Sequence, residues 1–370
     1  VMQRNARAER LAATVTSVAI VGLAILLHAL LARPWGGLVA ASCRWDCVWY
    51  DRIAAHGYAA LPQLCDPVRL GQADWAFFPL FPLLAGLLAR VTHLPVPMAA
   101  LTLNIALLPC LITLCADDLK LQGRAVGAWF LAAFFVLYPF NVWYVSQYSE
   151  TAFGVALIGG VVALRRGRVW LAAVAFFLLG MARPTGFVLA ACIAGYDIVT
   201  GRIGGDRTAS TPARRLADGV LLVAAAGAGL GVFVVYLDHL TGDGFAFMHV
   251  QIAWHRRFRF FILPILHALG HRHWLPQGLF AIAGIALIVW LIRTGRLFVG
   301  LVVGVTALLA GSTGAASIER FVFSNPLVIE VGASLAWQLN PRRRWAVLAA
   351  MAVGQVLATE LWFSGSDILT

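Results

Sequence analysis

Of the chain's 370 residues, 61% are hydrophobic and only 12% are charged, about half the charged share of an average soluble domain. A net charge of +11 would suit a nucleic-acid partner, but the basic residues are confined between long apolar stretches, which argues against one. The pattern is that of an all-α polytopic membrane protein. No internal repeat, low-complexity tract or long linker divides it, so residues 1–370 read as a single integral-membrane domain.

In chain order, Arg4, Arg7 and Arg10 precede the apolar run Leu11–Ala32. That run is too long for a signal-peptide core and is expected to stay as an uncleaved first helix with a cytoplasmic N-terminus. The opening Val1-Met2 fits a bacterial start codon read literally, and with it a place in the inner (plasma) membrane. A first large loop, 33–96, follows. Within it, Cys43-Arg44-Trp45-Asp46-Cys47-Val48-Trp49-Tyr50-Asp51-Arg52-Ile53-Ala54 gathers charges and aromatic rings too densely for packing alone, and reads as an active-site loop. A short helix over 45–56 would turn Trp45, Val48, Trp49 and Ile53 toward lipid or the bundle. Asp46 and Tyr50, four residues apart, would share another face. In the first turn Asp46 meets the positive end of the helix dipole, which favours the carboxylate that a general base must be. The same position suits an N-cap, and both readings stand.

Trp75–Val91 is apolar enough to span, yet the charges argue that it does not. Spans are predicted at about 11–32, 97–116, 124–140, 149–164, 169–183, 185–200, 217–239, 275–292, 297–312, 322–339 and 345–362. Between them lie Lys120 and Arg124; Arg165, Arg166 and Arg168; Arg202, Arg207, Arg214 and Arg215; Arg293 and Arg296; and Arg342 to Arg344. With the three N-terminal arginines these are seventeen of the 28 Lys+Arg. They share the cytoplasmic side, as the positive-inside bias requires, only if 75–91 does not cross. Its start, Phe77-Phe78-Pro79-Leu80-Phe81-Pro82, suits an interfacial or re-entrant helix. Eleven crossings then leave loops 33–96 and 240–274, with short ones near 141–148 and 313–321, on the outer side.

Chemistry is expected where those loops converge. Glu150, in Gln147-Tyr148-Ser149-Glu150 at the start of a span, is costly at that depth unless paired. It is a second catalytic candidate or, equally, a salt-bridge partner for Arg183 or Arg320. Outer arginines run against the topological bias, and a planar guanidinium suits bidentate phosphate binding. Arg183, Arg257 and Arg320 are the candidate phosphate ligands, with Arg256 and Arg259 in reserve; snorkelling toward anionic headgroups is the alternative. His271-Arg272-His273 is only an exposed pair, and no metal constellation stands out, so neither metal nor other cofactor is expected. Of the outer Cys43, Cys47 and Cys65, a bond from Cys65 to Cys43 or Cys47 is expected. Gly227, Gly229 and Gly231 suit close helix packing.

Several of these blocks, in order and spacing, resemble the PIG-V (GPI mannosyltransferase II-like) type of polyprenyl-phosphate-sugar-dependent mannosyltransferase, within the GT-C glycosyltransferase class. They are Arg44-Trp45-Asp46 with Trp49-Tyr50, Ile53-Ala54 and Gly57-Tyr58; Ala76 to Pro82; Gln147 to Glu150 with Arg183-Pro184-Thr185-Gly186; and Gly242-Asp243 with Gln251-Ile252-Ala253-Trp254. A looser block is Glu319-Arg320-Phe321 with Asn325-Pro326, where Phe321 stands in place of a tyrosine. The resemblance implies a GT-C bundle whose active site lies on the outer (periplasmic) face, between the first loop and the helices. It implies transfer of mannose from a polyprenyl-phosphate donor to a hydroxyl of a glycan, glycolipid or protein acceptor, with inversion. Asp46 would remove the proton, and Trp45, Tyr50, Tyr148, Gln251 and Trp254 would contact substrate. A non-catalytic lipid or glycan transporter is the alternative, although no repeated pair of interrupted helices supports it.

Overall fold

The computed structural model describes residues 2–203 and 211–369; Arg207 and the side chains of Arg4 and Arg7 lie outside that description. Among the described residues the chain is helical, with no strand. Helix α1 (Met2–Leu31) leads into α2 (Leu38–Ala41), α3 (Cys47–His56) and α4 (Leu80–Thr92). Then follow α5 (Val96–Leu121), α6 (Ala128–Leu137), α7 (Glu150–Arg165), α8 (Val169–Ala182), α9 (Pro184–Thr200) and α10 (Pro212–Thr241). After α11 (Ala246–His249) and α12 (Ile262–Gly270) come α13 (Leu275–Arg293), α14 (Leu297–Gly311), α15 (Ile318–Phe323), α16 (Pro326–Trp337) and α17 (Pro341–Phe363).

Among the described residues, five helices are long and apolar enough to cross a membrane: Glu9–Leu31, Val96–Leu121, Pro212–Thr241, Arg272–Arg293 and Pro341–Phe363. The other predicted spans coincide with shorter helices, and two of them change shape. The span expected at 124–140 is only the ten residues of α6, about 15 Å at 1.5 Å per residue, followed by a 3-10 turn at Pro139–Trp143. The span expected at 322–339 breaks at Ser324-Asn325. There Asn325 caps α16, accepting from the Leu327 N–H at 3.1 Å, and Pro326 opens the next helix.

The segment expected as a short outer loop, 141–148, is instead buried throughout. Non-helical backbone at membrane depth survives only when protein groups satisfy it, and here they do. Asn104 of α5 donates Nδ2 to the carbonyls of Ser146 (2.5 Å) and Tyr148 (2.8 Å). Gln147 Nε2 donates to Val39 O (2.7 Å) and Ser42 Oγ (2.9 Å), and Thr151 Oγ1 to Tyr144 O (3.0 Å).

Ion pairs place three of the basic segments at one end of the bundle. Asp117, near the end of α5, meets Arg10 of α1 at 3.2 Å and Arg166 beyond α7 at 2.9 Å. Lys120 pairs with Glu9, and Arg165 with Asp118 at 2.6 Å. Helix α1 therefore leaves this end and α5 returns to it, so residues 33–95 between them make no net crossing. Helix α4 obeys that constraint: His93, in the left-handed region at φ 58°, turns the chain, and α4 doubles back along the first half of α5. Leu80 and Leu107 consequently line the same cleft. Small residues close the bundle elsewhere. A Cβ on Gly180 would sit 2.1 Å from Ala226 O, and one on Gly229 would sit 2.1 Å from Phe177 O, so α8 and α10 meet backbone to backbone.

This topology predicts opposite sidedness for the turn before α5 and the far end of α5. With Cys65 replaced by Ser, Thr92→Cys and Lys120→Cys should react with a membrane-impermeant maleimide from opposite faces. Labelling of both from one face would mean that α4 or α5 is misplaced.

Candidate active site

At the end opposite Lys120, four elements bring acids and arginines into contact. Each member sits where a helix starts, stops or breaks. Asp46 is the N-cap residue of α3, and Glu150 is the first residue of α7. Arg183 is the extended hinge between α8 and α9 (φ −162°, ψ 151°). Arg320 lies in the one-and-a-half-turn helix α15, which starts after Ser317 in the left-handed region at φ 65°.

Arg320 Nη1 donates to Asp46 Oδ2 at 2.9 Å, and its Nε lies 3.4 Å from Glu150 Oε1. Arg183 Nη2 pairs with the same Glu150 oxygen and donates to Ser149 Oγ at 3.1 Å. Phe321 faces both guanidinium groups, with Arg183 at 5.1 Å and Arg320 at 5.0 Å from the ring centre. Burial opposes the charge of Arg320, but Asp46 and then Glu150 outweigh it and raise its pKa. Arg256 joins from the second loop. Burial pushes its guanidinium down from the usual range, and the charges of Asp46 and Glu319 offset part of that.

Exposure separates the two carboxylates. The Asp46 side chain is 30% exposed and that of Glu150 only 3%. Asp46 can therefore meet a ligand, whereas Glu150 is sealed behind Arg183 and Arg320 and acts as their counter-ion, which is the salt-bridge alternative. The capping alternative for Asp46 does not hold: its side chain makes no cap hydrogen bond and reaches Arg320 instead.

Buried hydroxyls hold the first loop. Tyr148, fully buried, accepts from the Asp46 N–H at 3.0 Å and donates to Arg44 O at 2.9 Å. Tyr50 donates to Ser149 Oγ at 3.2 Å; burial first, and Asp46 second, push its phenol up to about 12, so it stays a donor. Both tyrosines thus lie beneath the loop and position it. Trp45 is 42% exposed and holds a left-handed backbone at φ 47°. A bulky residue adopts that conformation only when its surroundings impose it. Trp254 packs on Trp49 and Phe77 at ring distances of 5.8 and 5.9 Å, and Gln251 Nε2 donates to Phe247 O at 3.3 Å. Arg257 and Arg259 are exposed. Arg256 is half-buried, and it is this neighbour whose charge couples to Asp46 and Arg320.

The expected disulfide is corrected as well. Cys43 is bonded to Cys47, with Cα atoms 5.3 Å apart, and Cys65 is free and exposed. One turn of chain at the start of α3 places Cys43 beside Cys47, while Cys65 lies in the exposed stretch after α3. The bond closes a ring around Arg44, Trp45 and Asp46. It also ties up two of the three ligands in the group Cys43, Cys47 and Asp51, leaving a cation only one carboxylate there.

Residues 7–217 match the family profile described as Mannosyltransferase (PIG-V). The chain belongs to this family. The matched stretch carries Asp46, Tyr148, Glu150 and Arg183, whereas Arg256 and Arg320 lie beyond it. Among curated proteins, the chain is similar to GPI alpha-1,6-mannosyltransferase 2 of Cricetulus griseus (31% identical over 163 residues) and of Mus musculus (30% over 171). The Homo sapiens protein of that name is 28% identical over 171 residues. Each match covers 41% of this chain and 31% of the relative, so the shared part is under a third of those proteins. No solved structure matches the chain.

Asn104 lies outside the motif blocks, and Glu319 within the loosest of them. Asn104 is a polar residue inside an apolar span, which at membrane depth marks a partner. Glu319 is fully buried beside Arg320.

Two outcomes test this geometry. Trypsin cuts after Arg44, so unreduced peptides carrying Cys43 and Cys47 should remain linked while Cys65 alkylates; a linked Cys65 peptide would overturn the pairing. Tyr148→Phe keeps the ring but removes both bonds to the loop, each about 0.5–1.5 kcal/mol net. Hydrogen exchange over residues 45–50 should then rise by roughly an order of magnitude, and unchanged protection would show that Tyr148 does not hold Asp46.

Proposed function

We propose that the protein transfers mannose from a polyprenyl-phosphate donor to an acceptor hydroxyl on the outer face of the membrane. The observation that carries this reading is the chain Asp46–Arg320–Glu150–Arg183, in which one accessible carboxylate adjoins buried arginines. A lipid phosphate entering this site needs compensation, since desolvating it without partners costs many kcal/mol. Arg320, Arg183 and Arg256 supply it, and no metal is required for that role. Phosphate oxygens compete with Asp46 for the donors of Arg320. As Arg320 turns to the phosphate, Asp46 regains the lone pairs with which it accepts the proton of the acceptor hydroxyl. The oxygen attacks the anomeric carbon, the bond to the phosphate oxygen breaks, and the leaving lipid phosphate remains on the arginines. One in-line displacement inverts the anomeric configuration.

Family membership supports sugar transfer, and the names of the relatives support mannose and a glycolipid acceptor of the GPI kind. The outer-face placement follows from the basic residues at the Lys120 end, which the positive-inside bias assigns to the cytoplasm.

The test is to incubate purified protein with labelled polyprenyl-phosphate mannose and a hydroxyl acceptor, and to measure lipid phosphate released. Asp46→Asn keeps the shape but cannot take a proton, so turnover should fall about 10²–10⁴-fold with the protein still folded. More than about a third of wild-type turnover would remove Asp46 from the chemistry. Glu150→Gln should give a smaller defect, expressed in donor KM.

Arg320→Ala should cost donor use about 2–4 kcal/mol, a charge-assisted bond plus the stranded phosphate. Because that change also strands buried carboxylates, Arg320→Lys serves as the folded control. It should restore the loss only in part, since an ammonium lacks the fork that meets two partners. Normal donor KM and kcat in both variants would move the phosphate elsewhere. Activity should also survive prior treatment with a chelator; its loss, with recovery on adding a divalent cation, would replace the arginine account with a metal.

A further inference from the structure

A second cleft lies on the outside of the bundle and plays no part in the chemistry above. Its volume is about 490 Å³. It runs along α5 and α7 between α4 and α8, from Leu80 and Ala152 at one end to Arg10, Arg166 and Arg168 at the other. Along α7, the distance from Ala152 to Arg166 is about 21 Å at 1.5 Å per residue. That is more than the roughly 15 Å of one leaflet of a ~30 Å hydrocarbon layer. The body of the cleft is apolar, with Leu107, Leu114 and Gly159 among its walls.

The far end is unlike the body. Three arginines line it, of which Arg10 and Arg166 share one acid, Asp117, at 3.2 and 2.9 Å. Arg168 is exposed. The neighbouring pairs Lys120–Glu9 and Arg165–Asp118 balance themselves, so this end keeps a positive surplus. A purely apolar occupant would leave that surplus unanswered, and a soluble anion would leave the apolar walls unanswered. An amphiphile with an anionic phosphate head and a long hydrocarbon chain answers both.

We propose that this cleft binds an anionic glycerophospholipid from the leaflet opposite the Asp46 cluster. Its phosphate rests on Arg10, Arg166 and Arg168, and an acyl chain lies along Leu114, Gly159 and Leu107. The chain end reaches Leu80, where α4 begins, and Ala152, in the first turn of the helix that starts at Glu150. The bound lipid therefore props from behind α7, which carries Glu150, and α4, whose Phe81 packs on Tyr50 at 5.2 Å, without touching the site. The proposal does not depend on sugar transfer.

The experiment uses the full chain, purified and delipidated in detergent, with binding followed by native mass spectrometry and thermal melting. Phosphatidylglycerol should bind one to one and raise the melting temperature. Phosphatidylcholine carries the same phosphate but adds a choline cation that the arginine surplus repels, so it should bind at least about tenfold more weakly. Inorganic phosphate should give no shift. Gly159→Leu leaves every charge in place and fills the cleft, since the nearest atom to a Cβ there is Leu114 Cδ1 at 3.8 Å. It should weaken phosphatidylglycerol at least about tenfold. Arg168→Gln should weaken it several-fold, and Asp117→Asn, which frees two arginines, should hold or tighten it. Equal binding of the two phospholipids, or full binding by Gly159→Leu, would overturn the proposal. So would polyprenyl phosphate displacing phosphatidylglycerol at lower concentration, which would assign the cleft to a carrier tail.

Discussion

The ion-pair chain from Asp46 through Arg320 and Glu150 to Arg183 is the constraint on which the half of the bundle opposite Lys120 depends. Taking these charges out of water costs several kcal/mol per ion, and their mutual attraction repays it only when the geometry is good. Removing Arg320 or Glu150, whose side chains are 8% and 3% exposed, would strand a charge in a low-dielectric interior, a loss of about 3–5 kcal/mol. That requirement accounts for the irregularities around it. A regular helix cannot present a side chain from its own axis end, so each partner is delivered by an interruption. Trp45 and Ser317 take left-handed backbones just before Asp46 and α15, Pro184 stops α8 from continuing past Arg183, and α6 ends early so that 138–149 can fold inward to Glu150. The buried loop then needs Asn104, Gln147 and Thr151 to satisfy its backbone.

The two ends of the molecule use the same residue types for opposite purposes. At the Lys120 end, the side chain of Arg10 is 51% exposed and that of Lys120 66%. Such pairs contribute little to stability, typically up to about 1 kcal/mol. At the Asp46 end, the side chain of Arg320 is 8% exposed, and its pairing governs shape and chemistry. Sequence composition reports only how many arginines there are. Depth decides what each one does.

Much of the frame was legible in the residues. Hydropathy located the apolar helices to within a few positions, and the charge balance led to a first loop with no net crossing, in which α4 doubles back although hydropathy alone would have it cross. The chemical types of the cluster were legible too, because an acid or arginine at membrane depth requires a partner. Its connectivity was not. Arg256 and Arg257 are adjacent, and nothing local tells which one turns inward. The segment Asn141 to Ser149, rich in amide and hydroxyl groups, looks like a surface loop, because its burial depends on Asn104 and Ser42 arriving from distant elements. The cysteine pairing failed for a related reason: Cys43 and Cys47 are close only once α3 starts at Cys47 rather than at Trp45.

Within the proposed reaction, the position of Arg320 imposes an order on events. In the absence of donor it engages Asp46, and the only accessible carboxylate of the cluster is occupied. A hydroxyl that arrives first finds no free base. When a lipid phosphate takes the guanidinium, the same movement neutralises the phosphate and releases Asp46, so base and leaving-group stabiliser become available together. Glu150 cannot substitute, since it is sealed at 3% exposure and shared by two arginines. Its part is to keep both guanidinium groups aimed at one place while their other partner changes. A cluster with a single carboxylate could not do both, because the arginines would lose their anchor at the moment the base was freed.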